Sequence, residues 1–286
     1  MRHTVLALGI LAADARFLDA QDAGQVVAAD RRVQARSYVF EQTGESIPYA
    51  LFVPSNYDGS KRWPVIVGLH GAGRPFDWVM GYEGLVDMAE RDGFIVVTPT
   101  GYHPLGGFGA YTPWRGKDGV PSPWPANAPA LERLRPLYEE GLKLPVNVAE
   151  LSERDVMNVL ALVRKEFNVA PDRIYLFGHS MGGGGAYHLA ATHPGTWAAV
   201  VVAAPSFPMN LPDLIPRFTA TPVLVLQGAA DDLVPAALTR MAVAQMQKAG
   251  TRVEYVEVPG GDHSLFISKN RDVLSRVFSF FAGRAP

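Results

Sequence analysis

The chain contains no cysteine, which removes disulfide bonds, thiolate metal sites and a cysteine nucleophile in one step. Charge is sparse: 19% of residues carry it, and the formal net charge is −2. Without a dense Lys/Arg run, nothing calls for nucleic acid or an anionic lipid surface as partner, and neither is expected. Apolar runs of membrane-spanning length are also lacking; the uncharged stretch from Thr4 to Ala13 is too short to cross a bilayer. That stretch follows Met1-Arg2-His3 and leads to small residues at Ala13-Asp14-Ala15 and Leu18-Asp19-Ala20. Residues 1–20 therefore read as a secretory signal peptide and 21–35 as a mobile segment. A secreted or periplasmic location is expected, the alternative being a frayed cytoplasmic N-terminus.

What the chain has is apolar mass: 48% of its 286 residues are hydrophobic, enough for one large core, and residues 36–286 read as one domain. Alternating runs at Arg36 to Gln42 and Pro48 to Pro54 predict a hairpin of edge strands. Nearly continuous apolar runs follow at Pro64 to Leu69, Phe94 to Thr98, Arg173 to Phe177, Trp197 to Ala203, Thr221 to Leu226 and Val253 to Val258. Strands covered on both faces have this character. Helical periodicity lies between and after them, at Tyr82 to Arg91, Ser152 to Phe167, Met181 to His193, Pro235 to Ala249 and Leu265 to Ala282, with Ser152 and Asp155 placed as a cap. The alternation predicts an α/β fold, a mostly parallel sheet with helices on both faces.

Residues 101–147 break the alternation. They are dense in proline, from Pro104 through Pro121, Pro123 and Pro125 to Pro145, and carry Tyr111, Trp114, Trp124 and Tyr138. A loop of this length reads as a lid-like insertion over the active face. Trp114 and Trp124 are its candidate substrate-binding walls, and Leu131 to Gly141 a short helix within it.

Gly178-His179-Ser180-Met181-Gly182 matches the G-x-S-x-G nucleophile elbow, directly after the apolar run Ile174-Tyr175-Leu176-Phe177 and before a helical pattern. The turn must hold Ser180 in a strained conformation, and side chains at 178 or 182 would strike neighbouring backbone. A serine hydroxyl needs a base. Of seven histidines, His263 lies in Gly260-Gly261-Asp262-His263-Ser264, after the last predicted strand, at the sheet edge where Ser180 also sits. His179 should point away from the serine hydroxyl and joins the candidate substrate contacts. His188 and His193, five residues apart, do not share a helix face, so no metal pair is expected there. The orienting carboxylate should come from Gln227-Gly228-Ala229-Ala230-Asp231-Asp232, where spacing alone does not choose between Asp231 and Asp232. Two backbone N–H groups must await the oxyanion: Met181, and Ala72 or Gly71 from the glycine-rich turn His70-Gly71-Ala72-Gly73. His70 reads as a brace for that turn. No metal and no cofactor is expected.

With these motifs in hand, the sequence from about Arg36 onward resembles secreted bacterial esterases related to feruloyl esterases and polyhydroxybutyrate depolymerases. Their catalytic domain is similar to that of the prolyl oligopeptidase family. The likeness is carried by Trp63 to Gly73, Leu151 to Pro194, Gly228 to Pro235 and His263. It implies the α/β-hydrolase fold, Ser180 as nucleophile, Asp231 as orienting acid, His263 as base, and an oxyanion site at Met181 and the His70-Gly71-Ala72 turn. Depolymerases of this type often carry cysteine where Ala72 stands, and no propeller-like N-terminal domain is expected. The expected reaction is hydrolysis of a small-molecule or polymer-borne carboxylic ester. The alternatives are a peptidase, a polyester depolymerase, and a silent hydrolase-fold binding protein. Asp231→Asn should lower turnover by on the order of 10⁴; a near-normal rate in a steady-state assay would move the acid's role to Asp232.

Overall fold

Runs of valine, isoleucine and leucine with no polar alternation can be strands only if both faces are covered, and the computed structural model covers them. It describes residues 30–110, 129–208 and 210–283. The strands are β1 (Gln34–Phe40), β2 (Glu45–Phe52), β3 (Trp63–Leu69), β4 (Ile95–Pro99), β5 (Val169–His179), β6 (Ala199–Ala203), β7 (Val223–Gly228) and β8 (Val253–Val258). They form one sheet in the order β1-β2-β4-β3-β5-β6-β7-β8. β2 runs antiparallel to both β1 and β4, and every pair from β4 through β8 is parallel. The inner strands β3, β4, β6 and β7 are buried along their whole length, whereas the edge strands β1 and β8 are not.

The helices are α1 (Leu85–Asp92), α2 (Arg135–Gly141), α3 (Val148–Glu166), α4 (Met181–Thr192), α5 (Leu211–Leu214), α6 (Ala236–Lys248), α7 (Leu265–Ser268) and α8 (Arg271–Ala282). Alternate residues of each strand feed two cores. Val65, Val67, Ile174 and Leu176 join side chains of α3, α4, α5 and α6 on one face; Ile66, Tyr175 and Phe177 join those of α1, α7 and α8 on the other. No helix among the described residues is long and apolar enough to cross a membrane.

Chain order reverses direction around β3, since β4 lies to one side of it and β5 to the other. Such a switch point opens a crevice at the carboxyl ends of the strands. Register then places the loops: Leu69 pairs with Gly178, His179 with Ala203, and Gly228 with Val258. The chain leaving β3 therefore emerges beside the chain leaving β5, and the chain leaving β7 beside that leaving β8.

Several boundaries differ from the sequence reading. α3 starts four residues before Ser152, and Asn147 stands at its N-cap position without a side-chain bond. Ser152 and Asp155 are buried and hold a loop instead. Ser152 Oγ accepts from the Phe108 N–H at 2.8 Å, and Asp155 accepts from Tyr38 Oη at 2.6 Å and the Tyr102 N–H at 2.9 Å. Residue types that cap helices were spent on tertiary contacts. The single helix expected over Leu265 to Ala282 is two, because Asn270 turns its side chain to accept from the N–H groups of Asp272 and Val273 and starts α8 afresh. Residues 30–35 are anchored: Arg32 pairs with Asp30 and Asp87, and β1 already begins at Gln34. The signal-peptide reading of 1–20 and the rest of the segment to residue 29 lie outside the described residues, as do 111–128. The rest of the insertion is helical in part: a 3-10 turn over Pro129–Leu134 leads into α2.

His188 and His193 do meet, although not as a helix face. His193 lies one residue past the end of α4, where the chain swings out of the helix, and both Nε2 atoms bond one carboxylate of α3, Glu153, at 2.7 Å each. Among the described residues no group of three histidine or acidic side chains could hold a metal ion. Burial alone would raise the Glu153 pKa, but the hydrogen bonds and charges of His188 and His193 outweigh it and lower the pKa from 4.5 to about 2. The folded carboxyl thus stays ionised where the unfolded one has taken a proton. Its stabilisation is present above about pH 4.5 and lost as pH falls toward 2. Urea unfolding of Glu153→Gln should show a stability deficit at neutral pH that shrinks at about pH 3.5; a deficit independent of pH would refute the linkage.

Candidate active site

A strand that ends and a helix that begins one residue apart leave the residue between them little conformational choice. Ser180 follows β5 and precedes α4, at φ 55° and ψ −117°, a region that costs a non-glycine residue about 1–3 kcal/mol. Its N–H is fixed to the Ala203 carbonyl of β6 at 2.9 Å. The flanking glycines are steric necessities. A Cβ at 178 would lie 2.1 Å from the Gly182 carbonyl oxygen, and one at 182 would lie 2.3 Å from that of Leu69. Gly183, Gly184 and Gly185 continue the theme, since a Cβ there would strike Pro205, Ser206 and Phe108 respectively. Helix α4 gives up about 1 kcal/mol of propensity per glycine relative to alanine so that three loops can close around its first turn.

His263 follows β8, and its loop abuts the loop after β7 so closely that a Cβ on Gly228 would lie 2.2 Å from the Asp262 carbonyl oxygen. The Ala230 N–H donates to the Gly261 carbonyl across this contact at 2.8 Å. The result is a continuous chain: Ser180 Oγ to His263 Nε2 at 2.9 Å, and His263 Nδ1 to Asp231 Oδ2 at 2.8 Å. The Asp231 side chain is fully buried and the His263 ring 12% exposed. Burial opposes ionisation of Asp231, but the His263 hydrogen bond and charge, with the Val234 and Leu233 N–H groups, hold its pKa below the ordinary value. Asp232 points away and pairs on the surface with Arg133, at 2.5 Å. Asp262 spends one carboxylate oxygen on the N–H groups of Ser264, Leu265 and Phe266, folding the start of α7.

The turn after β3 faces Ser180: a Cβ on Gly71 would lie 3.6 Å from Ser180 Cβ. Met181 heads α4, so its N–H has no carbonyl partner four residues back within the helix. Gly71 and Met181 thus lie beside the serine, and Ala72 follows Gly71 in the turn. His70 is buried beneath them, with Nδ1 2.8 Å from the Gly71 carbonyl oxygen and Nε2 2.9 Å from that of Thr100. Its ring packs edge-on against Phe108, so it braces the turn from below.

His179 is not a substrate contact. As the last residue of β5 its side chain faces the opposite side from Ser180 and is wholly buried. Its Nε2 bonds the backbone carbonyl of His263 at 2.9 Å, and its Nδ1 meets the Tyr82 hydroxyl. Nε2 must therefore donate and Nδ1 accept, a neutral ring; burial and then the nearby His263 push its pKa down to about 3. His179 holds the main chain of His263. Trp114 and Trp124 lie outside the described residues. An aromatic ring that the structure does describe near Ser180 is Trp78, 3.7 Å from a Cβ built on Gly71, with Arg74 over its ring. Its sequence position, five residues past Gly73, carries no periodic signal that would have revealed it.

Known proteins share this fold. The family model described as Serine aminopeptidase, S33 matches residues 139–220, and that of the Prolyl oligopeptidase family matches residues 209–285. Among solved structures, a thermostable esterase shares 19% identity at TM-score 0.59, covering 87% of this chain and 62% of its own. A CE1 ferulic acid esterase from the anaerobic fungus Anaeromyces mucronatus shares 17% identity at TM-score 0.58, covering 85% of this chain and 91% of its own. An S-formylglutathione hydrolase from Agrobacterium tumefaciens shares 19% identity at TM-score 0.60, covering 89% of this chain and 95% of its own. The chain spans less than two thirds of the thermostable esterase. At these identities the likeness is one of fold, and the fold is that of the α/β-hydrolases.

Proposed function

We propose that the protein is a serine hydrolase that cleaves carboxylic esters through an acyl-enzyme. The observation that carries this reading is the unbroken hydrogen-bonded chain from Ser180 through His263 to buried Asp231. His263 Nε2 takes the hydroxyl proton as Ser180 Oγ attacks the ester carbonyl carbon, and Asp231 stabilises the imidazolium. The carbonyl oxygen, now negative, meets the N–H of Met181 and that of Ala72 or Gly71. Collapse of this intermediate breaks the C–O bond, and the imidazolium returns its proton to the leaving alcohol. Water then repeats the sequence on the acyl-enzyme, releasing the acid and restoring the serine hydroxyl.

An aromatic acyl group such as a hydroxycinnamate is the favoured substrate, on a small molecule or a polymer. Trp78 supplies an aromatic face beside the oxyanion turn, and one structural neighbour is a ferulic acid esterase. The reading of residues 1–20 supports a secreted or periplasmic enzyme. Peptide hydrolysis is the second reading, favoured by the two partial family matches, both of which are named for peptidases. It needs the same triad and a stronger push on the leaving nitrogen.

Turnover of methyl ferulate, a short aliphatic ester and a peptide panel should rank in that order; preference for the aliphatic ester removes the aromatic assignment, and preference for peptides replaces the ester reading. Ser180→Ala should lower ester turnover by on the order of 10⁴ or more, and a rate close to that of the unaltered protein would exclude Ser180 as nucleophile.

A further inference from the structure

Asp231 has four donors around two oxygens. Oδ1 accepts from the N–H groups of Leu233 at 2.9 Å and Val234 at 2.8 Å. Oδ2 is shared between His263 Nδ1 at 2.8 Å and a side chain that the triad chemistry does not include, Gln227 Nε2, at 2.9 Å. Gln227 is the penultimate residue of β7 and fully buried. A buried amide with so polar an environment is expensive unless each end meets the right partner.

Which end of the amide faces the carboxylate is fixed by its surroundings. Three acceptors cluster at one end: Asp231 Oδ2, the Val234 carbonyl oxygen at 3.0 Å and the Gly228 carbonyl oxygen at 3.2 Å. Only an NH₂ group can face them, its two N–H donors shared among the three, and a reversed amide would set its oxygen against a carboxylate and two carbonyls. At the other end Gln227 Oε1 accepts from the hydroxyl of Thr239 at 2.7 Å. Thr239 is likewise fully buried, on α6. A rigid helix thereby reaches back to the end of a central strand.

We propose that Gln227, held by Thr239, is a positioning residue for the acid–base pair. Its N–H holds the same Asp231 Oδ2 that accepts from His263 Nδ1, which resists rotation of the carboxylate away from the imidazole. Thr239 acts one step further out by fixing the orientation of the amide. The backbone N–H groups at 233 and 234 grip the other oxygen, and Gln227 is the side chain among the described residues that shares Asp231 Oδ2 with His263.

This inference rests on the esterase reading for its kinetic consequence but not for its spectroscopic one. Thr239→Val keeps the volume and deletes the hydroxyl, Thr239→Ser keeps the hydroxyl, and Gln227→Leu deletes the amide. In proton NMR of the folded full chain, the exchange-protected, far-downfield imidazole proton of the His263–Asp231 bond should be present in the unaltered protein and in Thr239→Ser, and weakened or absent in the other two. On p-nitrophenyl acetate, kcat should fall about 10- to 100-fold in Gln227→Leu, by analogy with the loss of outer-shell partners, with KM unchanged; Thr239→Val should fall less, and Thr239→Ser should recover what Thr239→Val loses. An unaltered protein that shows the proton signal but no turnover defeats the esterase reading and leaves the positioning role to the NMR comparison. The proposal is overturned if folded Thr239→Val retains both the signal and its kcat, or if the loss falls on KM alone. Should Gln227→Leu fail to fold, the contrast between Thr239→Val and Thr239→Ser decides.

Discussion

The arrangement depends on a conformation that the backbone would not adopt by itself: a serine at positive φ, wedged between the last residue of a central strand and the first residue of a helix. That conformation lifts Ser180 Oγ above the sheet edge and aims the start of α4 at the same point. It persists because everything around it is over-determined. The serine N–H is bound by β6, the glycines at 178 and 182 admit backbone at distances no side chain would allow, and four consecutive glycines let loops from three other strands close on the helix. Local strain is balanced by close packing elsewhere.

Around that fixed oxygen, polar groups are arranged in successive layers, each fixing the hydrogen-bonding role of the one inside it. His263 is held at both ring and main chain, the ring by Ser180 and Asp231 and the carbonyl by His179. His179 is kept neutral by burial and oriented by Tyr82; Asp231 is kept ionised by its donors, Gln227 among them. The two histidines lie with ring centroids 5.5 Å apart but in different company: His263 has the buried Asp231 carboxylate beside it, whereas His179 meets only a carbonyl and a phenol. Burial without a compensating acid keeps His179 neutral.

Much of this was legible in the residue order, because it follows from periodicity and sterics. The order of strands and helices, the elbow, the position of His263 and the glycine-rich turn after β3 all follow from local pattern. What was not legible required knowing which side of the sheet a residue faces or what lies across a gap in the chain. Spacing did not choose between Asp231 and Asp232; the family resemblance pointed to Asp231, and in the structure burial against an exposed pairing with Arg133 separates the two. His179 looked like a site residue because it adjoins Ser180, but adjacent residues at a strand end point to opposite sides. Ser152 and Asp155 carried the letters of a cap while serving Phe108, Tyr38 and Tyr102. The break before α8 was hidden because the apolar periodicity on both sides of Asn270 continues in phase.

The central claim is that Ser180 is made nucleophilic by His263, and covalent capture measures this most directly. After exposure of the protein to a fluorophosphonate, peptide mapping by mass spectrometry should find one phosphonyl group per chain, on Ser180, formed far more slowly in His263→Ala. An adduct on a different residue, or labelling of Ser180 at an equal rate without the imidazole, would contradict the account.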